Sequence, residues 1–160
     1  MSLNVRFINP FIKAASYVLE TEVGADIERG NVALEKSGAT SREVTVALGV
    51  TGDVRGAVFY GLSQDTARGF VSQMLGEPVP LFDHLAESAM GELGNVITGL
   101  ASSNLEQEGF VCRISPPTLV TGKGVYISTL DFHRLVVPLH TQYGDLEINV
   151  ALKSDESGIA

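Results

Sequence analysis

The sequence contains one cysteine, Cys112, so no disulfide can form within the chain, and a reducing compartment is expected. Cations are also scarce. Eleven Lys and Arg stand against 19 Asp and Glu, giving a formal net charge of −8 at pH 7. No basic cluster provides a local surface for phosphates, so nucleic acid is excluded as a partner, and an anionic membrane would repel the chain. No apolar run approaches the ~20 residues of a spanning helix. No signal peptide precedes the first polar residues. A cytoplasmic protein with no membrane partner is the expectation. The three histidines, His84, His133 and His140, lack metal-site spacing, and no cysteine or carboxylate cluster joins them. No metal and no bound cofactor are therefore expected on this chain. Arg113 directly follows Cys112 rather than standing several residues on, which does not match a cysteine-based phosphate-cleaving loop; Cys112 reads as a core thiol. Gly122-Lys-Gly124 lacks the upstream glycine and the following Ser or Thr of a P-loop and reads as a turn.

What is present is enough for one domain, residues 1–160, with an ordered core at about 5–153. Apolar residues make up 44% and charged residues 19%, ordinary values for a globular chain. Asn9-Pro10 reads as a helix start, Asn as N-cap and Pro at the first helical position, with the helix running to about Glu22 and Gly24 closing it. A strand is predicted around Val32-Ala-Leu34, and a loop begins at Ser37-Gly38. Val44, Val46 and Leu48 alternate along a strand, Thr51-Gly-Asp-Val54 turns the chain, and Arg55 to Leu62 returns as the second arm of a hairpin. Ser63 caps a helix that ends at Leu75 before Gly76. Strands are predicted at Phe110–Ile114, Thr118–Val120 and Tyr126–Ser128. A second hairpin spans Leu135–Thr141 and Leu146–Lys153, and Ser154–Ala160 reads as a frayed tail.

The order helix, strand, hairpin thus occurs twice, a weak internal duplication. Hairpins favour an antiparallel sheet, and amphipathic helices must cover its apolar face. The fold class is α+β: an antiparallel sheet built from hairpins, covered by long helices, in two pseudo-symmetric halves.

The stretch from Phe82 to Gly109 reads as one long helix with Asp83 as its N-cap. Leu85, Ala89, Leu93, Val96, Ile97, Leu100, Ala101 and Leu105 form an apolar stripe at spacings of three and four. Ser88, Glu92, Asn95, Gly99, Ser102 and Ser103 run up the other side, with Gly91 and Gly94 alongside. Glycine in a helix interior costs roughly 1 kcal/mol against alanine. Three of them are unfavourable unless something approaches the backbone closely. A polar pair, Glu92 and Asn95, set among nearly bare backbone points to a face against which another macromolecule lies. Taken alone, Glu and Asn three apart also fit an ordinary solvated helix face, and small residues there also fit helix–helix packing.

Ser88-x-x-x-Glu92-x-x-Asn95, followed by Pro116-Pro117, resembles the signature of the CheC/CheX family of chemotaxis phosphatases, and CheX more closely. Ile8-Asn-Pro-Phe-Ile12, Met74-Leu-Gly-Glu77, Ile114-Ser-Pro-Pro-Thr118 and Gly122-Lys-Gly124 extend the resemblance to roughly residues 5–153. One departure is visible: 21 residues separate Asn95 from Pro117, one fewer than in the family pattern.

The resemblance implies a fold of two pseudo-symmetric halves and a homodimer. It further implies a protein phosphatase acting on the aspartyl phosphate of a CheY-type response-regulator receiver domain. Glu92 and Asn95 would be catalytic. Asn95 would hold a water in line with the phosphorus, a task that suits a neutral carboxamide, and Glu92 would pair with a lysine of the receiver. Ser88 takes the family's Asp/Ser position; with Gly91 and Gly99 it would line the partner-binding face. The catalytic aspartate and the Mg²⁺ would belong to the receiver. The first helix carries Lys13 and Ser16 in a comparable region and no Glu-x-x-Asn, so one site per chain is expected. The alternative is a non-catalytic module that docks on a phosphorylated receiver and regulates signalling. An intact Glu92/Asn95 pair separates the two, because docking alone does not need it.

Overall fold

The computed structural model describes residues 5–36, 38–40, 42–130 and 132–154. Ser37, where a loop is expected to begin, and residues 155–160 of the expected tail lie outside them. The elements in chain order are α1 (Ile8–Val18), β1 (Glu28–Arg29), β2 (Ala33–Glu35), β3 (Gly38–Thr40), β4 (Val44–Gly52), β5 (Val54–Leu62), α2 (Gln64–Leu75), α3 (His84–Gln107), β6 (Cys112–Ile114), β7 (Thr118–Thr121), β8 (Tyr126–Ser128), β9 (Arg134–Thr141) and β10 (Gly144–Ser154). Ser154 therefore closes a strand rather than opening a tail. Its partner across the ladder is Val54.

Several boundaries follow directly from local chemistry. The Ser63 hydroxyl accepts from the Thr66 amide at the start of α2, and Gly76 ends that helix in a left-handed conformation, φ 74°. The Asp83 carboxylate accepts from the Ala86 amide at 3.0 Å and starts α3. Gly24, φ 69°, closes the turn after α1. The start of α1 differs from expectation. Asn9 lies inside the helix and caps nothing, because a 3-10 turn at Val5–Phe7 runs straight into it and Phe7 is already in helical conformation. Pro10 then falls within the first turn, where its missing N–H would have had no intrahelical partner.

The main sheet runs β1-β9-β10-β5-β4-β6, with β2 also on β9 and β7 also on β4; all pairings are antiparallel. The two hairpins, β4–β5 and β9–β10, meet at the centre through β5 and β10, Val58 opposite Val150. Each hairpin's outer strand is completed by the other half of the chain. The short strands after α1 pair with β9, and those after α3 pair with β4. β3 and β8 pair with each other in a separate two-stranded sheet. The duplication read in the sequence is thus a pseudo-two-fold arrangement in which the halves interlock.

Alternation places Val44, Val46, Leu48, Val58, Tyr60, Leu62, Val137, Leu139, Ile148, Val150 and Leu152 in one buried core with the helices. α3 packs along α1 and across β4. Phe7 meets Phe110 edge to face, ring centroids 5.2 Å apart, joining the start of α1 to the segment after α3. At the first hairpin's tip, the Asp53 carboxylate accepts from the Val111 amide and the Asp53 amide donates to the Val111 carbonyl, both at 2.9 Å. The end of α3 is thereby tied to the sheet. No helix among the described residues is long and apolar enough to cross a membrane.

Candidate functional site

The core-facing side of α3 is rotated from the expected stripe. Ala86, Met90, Leu93, Gly94, Ile97, Thr98, Ala101 and Leu105 are buried, whereas Leu85 and Val96 are exposed. The reason lies at Gly94. A Cβ there would stand 2.7 Å from Val46 Cγ1 and 3.5 Å from Tyr60 Cδ2. The helix presses on β4 and β5 through bare backbone, and a small residue, not a large apolar one, marks the contact line. Thr98 continues that line one turn on. Its hydroxyl donates to the Gly94 carbonyl at 2.7 Å and meets the Tyr60 hydroxyl at 2.7 Å.

Gly94 therefore does not belong with the outward face. The expected site residues do. Ser88, Gly91, Glu92, Asn95 and Gly99 fall within about 100° of helix circumference, since successive residues turn by about 100°. Ser88 and Glu92 are exposed and Asn95 is half-buried. Among the described residues none of these three side chains makes a hydrogen bond or ion pair. Around Gly99 nothing comes within 4 Å of where a Cβ would stand, and at Gly91 the nearest atom is Pro117 Cγ at 3.8 Å. Glu92 and Asn95 thus project from a surface that is low on both sides, and neither is engaged by another side chain or backbone group among the described residues.

Pro117 forms the wall of this surface. A shallow groove beside α3 is lined by His84, Glu87, Ser88, Gly91, Glu92, Pro117 and Leu119. The wall is held by β4. The Gly49 amide donates to Ser115 Oγ at 2.8 Å, the Ser115 amide donates to the Gly49 carbonyl at 2.9 Å, and β7 rejoins β4 at Thr118 opposite Ala47. The proline that trails the motif in sequence is thus beside Gly91 and Glu92 in space. Sequence reasoning missed His84 and Glu87 as groove residues, although each stands four residues before another groove residue, Ser88 and Gly91, a spacing that puts them on the same side. His84 Nδ1 lies 3.5 Å from Glu87 Oε1. No group of three or more His, Cys, Asp or Glu side chains among the described residues could hold a metal ion.

α1 repeats the presentation without the chemistry. The order exposed, buried, buried, half-buried, exposed, buried, buried over residues 92–98 recurs over residues 13–19. Lys13 and Ser16 occupy the places of Glu92 and Asn95.

The family model described as chemotaxis phosphatase CheX matches residues 44–140. A relative from Thermotoga maritima, named CheY-P phosphatase CheX, is 27% identical over 154 residues, covering 95% of this chain and 99% of that one. The crystal structure of a CheC-like superfamily protein from Shewanella sp. PV-4 superposes with a TM-score of 0.86 at 27% identity, covering 95% of this chain and all (100%) of that one. The CheX chain in the crystal structure of the CheX-CheY-BeF3-Mg+2 complex from Borrelia burgdorferi gives a TM-score of 0.81 at 28% identity, covering 94% and 100%.

Proposed function

The chain belongs to the CheX family of chemotaxis phosphatases, and from that premise we propose that it dephosphorylates the aspartyl phosphate of a CheY-type receiver domain, with Glu92 and Asn95 as the inserted residues. The observation that carries this reading is the state of the pair. Both side chains stand on a helix fixed to the sheet, flanked by glycines on the outward face, with no hydrogen-bond or ion-pair partner among the described residues. A relative that bears the name CheY-P phosphatase, and one crystallised with CheY, BeF3 and Mg+2, support the same partner.

The reaction needs little covalent chemistry from this chain. A water oxygen attacks the phosphorus, the bond between phosphorus and the aspartyl oxygen breaks, and inorganic phosphate and a free carboxylate result. The Asn95 carboxamide accepts a hydrogen bond from the attacking water and holds it opposite the leaving oxygen, a contribution of orientation rather than of proton transfer. Glu92, one turn away, pairs with a lysine of the receiver and fixes the register. The metal ion and the phosphoryl group come with the receiver. Ser88, Gly91 and Gly99 leave room for its surface. The chain acts as a single domain, in the cytoplasm, and as a homodimer; the two-stranded β3–β8 sheet pairs with no further strand among the described residues and offers an edge for self-association.

The test is phosphate release from a radiolabelled, phosphorylated CheY-type receiver. Wild type accelerates the loss, and Asn95→Ala returns it to the receiver's own rate while still binding a BeF3-loaded receiver. Glu92→Ala weakens both binding and turnover. Normal turnover by Asn95→Ala rules out this mechanism. Tight binding with no acceleration by wild type replaces it with the docking module.

A further inference from the structure

Behind the outward face lies a buried polar feature that the proposed chemistry does not use. Tyr60 on β5 and Thr98 on α3 are 1% and 0% exposed. Their hydroxyls are 2.7 Å apart, and the Thr98 hydroxyl is also 2.7 Å from the Gly94 carbonyl oxygen. A threonine has one hydroxyl proton, and the carbonyl can only accept. The Thr98 proton therefore goes to Gly94, and Tyr60 donates to Thr98. Burial pushes the Tyr60 hydroxyl well above the ordinary tyrosine range, against the smaller lowering effect of Thr98, so it stays a donor at any assay pH. The result is a directional chain, Tyr60 O–H to Thr98 O–H to Gly94 C=O, running from the sheet into the helix backbone.

Its position is specific. Gly94 directly precedes Asn95, and Thr98 is one turn on. Glu92 and Asn95 are therefore carried by the turn that the chain grips. Van der Waals contact of Gly94 with Val46 sets how close the helix comes to the sheet. It selects which side of the helix faces the sheet but holds the fine rotation only loosely, because Gly94 presents a smooth surface there. The Tyr60–Thr98 hydrogen bond crosses from sheet to helix with a fixed direction and tightens that restraint, while the Thr98–Gly94 bond, within α3, holds the Thr98 hydroxyl in place and tilts the Gly94 peptide. Buried hydroxyls contribute little net stability over apolar packing but do define geometry.

We propose that Tyr60 and Thr98 are positioning residues for the dephosphorylation: they fix the rotation of α3, and so the aim of Asn95 and Glu92, without touching the substrate. The proposal rests on the functional reading above. Near-attack geometry is steep enough that a displacement of about 1 Å costs on the order of 10²-fold in rate. A helix freed to turn by a fraction of that lowers kcat by roughly 5- to 20-fold.

The experiment measures kcat and KM for the phosphorylated receiver with Tyr60→Phe, Thr98→Val, Thr98→Ser and Asn95→Ala, on protein shown by circular dichroism to be folded. Tyr60→Phe removes only the hydroxyl and Thr98→Val replaces it with a methyl of similar size; either suffices if the other fails to fold. The expected result is a lowered kcat for both with KM within two-fold of wild type, and recovery with Thr98→Ser, which restores the hydroxyl. Wild-type kcat in folded Tyr60→Phe and Thr98→Val, with Asn95→Ala inactive, overturns the positioning role and leaves the mechanism standing. Full activity of Asn95→Ala overturns both.

Discussion

The three glycines inside α3 give a graded prediction, because each one's side of the helix meets something different. Substitution by alanine removes a backbone freedom that costs the helix about 1 kcal/mol in every case. At Gly99 an added methyl meets nothing within 4 Å. Gly99→Ala is expected to raise stability by about 1 kcal/mol, which for a chain of 160 residues is a Tm higher by about 2–4 °C. At Gly91 the nearest atom is Pro117 Cγ at 3.8 Å, an ordinary contact, so the same gain is expected. At Gly94 the methyl would lie 2.7 Å from Val46 Cγ1 and 3.3 Å from Val46 Cβ, both buried in the core. Overpacking of this kind costs about 1–3 kcal/mol, which cancels or exceeds the helix gain. Gly94→Ala is expected to be neutral to destabilising by about 2 kcal/mol. Urea unfolding of the three variants measures this directly. Affinity for a BeF3-loaded receiver then gives the second half. Gly91→Ala and Gly99→Ala are expected to bind about five-fold or more weakly, about 1 kcal/mol, although both are more stable proteins. If Gly94→Ala gained as much stability as Gly99→Ala, the close approach of helix and sheet would be wrong. If Gly91→Ala and Gly99→Ala bound normally, the low outward surface would have no role in docking.

Two further outcomes follow from groups outside the face. Asp83→Ala removes the carboxylate that accepts from the Ala86 amide and is expected to cost about 1 kcal/mol in denaturant unfolding, as for other N-cap losses. Tyr60 holds its proton more tightly in the folded protein than a free tyrosine does. Above about pH 10 the unfolded chain therefore releases a proton that the folded one retains, so stability falls as pH rises. Tyr60→Phe is expected to flatten that alkaline decline in a pH series of unfolding free energies, and to leave its shape near neutrality unchanged.

How much of this was legible before the structure depends on the range of the interaction involved. Ser63, Asp83, Gly24 and Gly76 act on their own helix ends, and each was readable where it stands. The alternation of Val44, Val46 and Leu48 gave the sheet face because period two is a property of a single strand. Glu92 and Asn95 were readable as an outward pair because the helix period alone puts them on one side. The contact face of α3 was not. Residue type pointed to Leu85 and Val96, but the sheet is reached through Gly94 and Thr98, and that choice is made by Val46 and Tyr60, which lie far away in sequence. Asn9 misled for a related reason: a helix entered from a 3-10 turn needs no side-chain cap. The pairing of β1 and β2 with β9, and of Pro117 with Gly91, likewise depends on which elements meet in three dimensions.

The interlocking of the halves has a consequence for how the chain is made. Glu28 pairs with His140, and Leu34 with Leu135. On a ribosome adding roughly 5–20 residues per second, β1 and β2 emerge about 5–20 seconds before the strand they pair with. Throughout that interval the first hairpin has no β10 beside β5, and for about the first two-thirds of it α1 has no complete α3 to lie against. The first half of the nascent chain therefore waits, with its apolar face uncovered, until β10 has been synthesised and folding can finish in one late step. The same arrangement makes the chain the covalent counterpart of a swapped dimer: fragments cut between α2 and α3 would each lack the strands that complete their hairpin, and would regain the fold only by recombining.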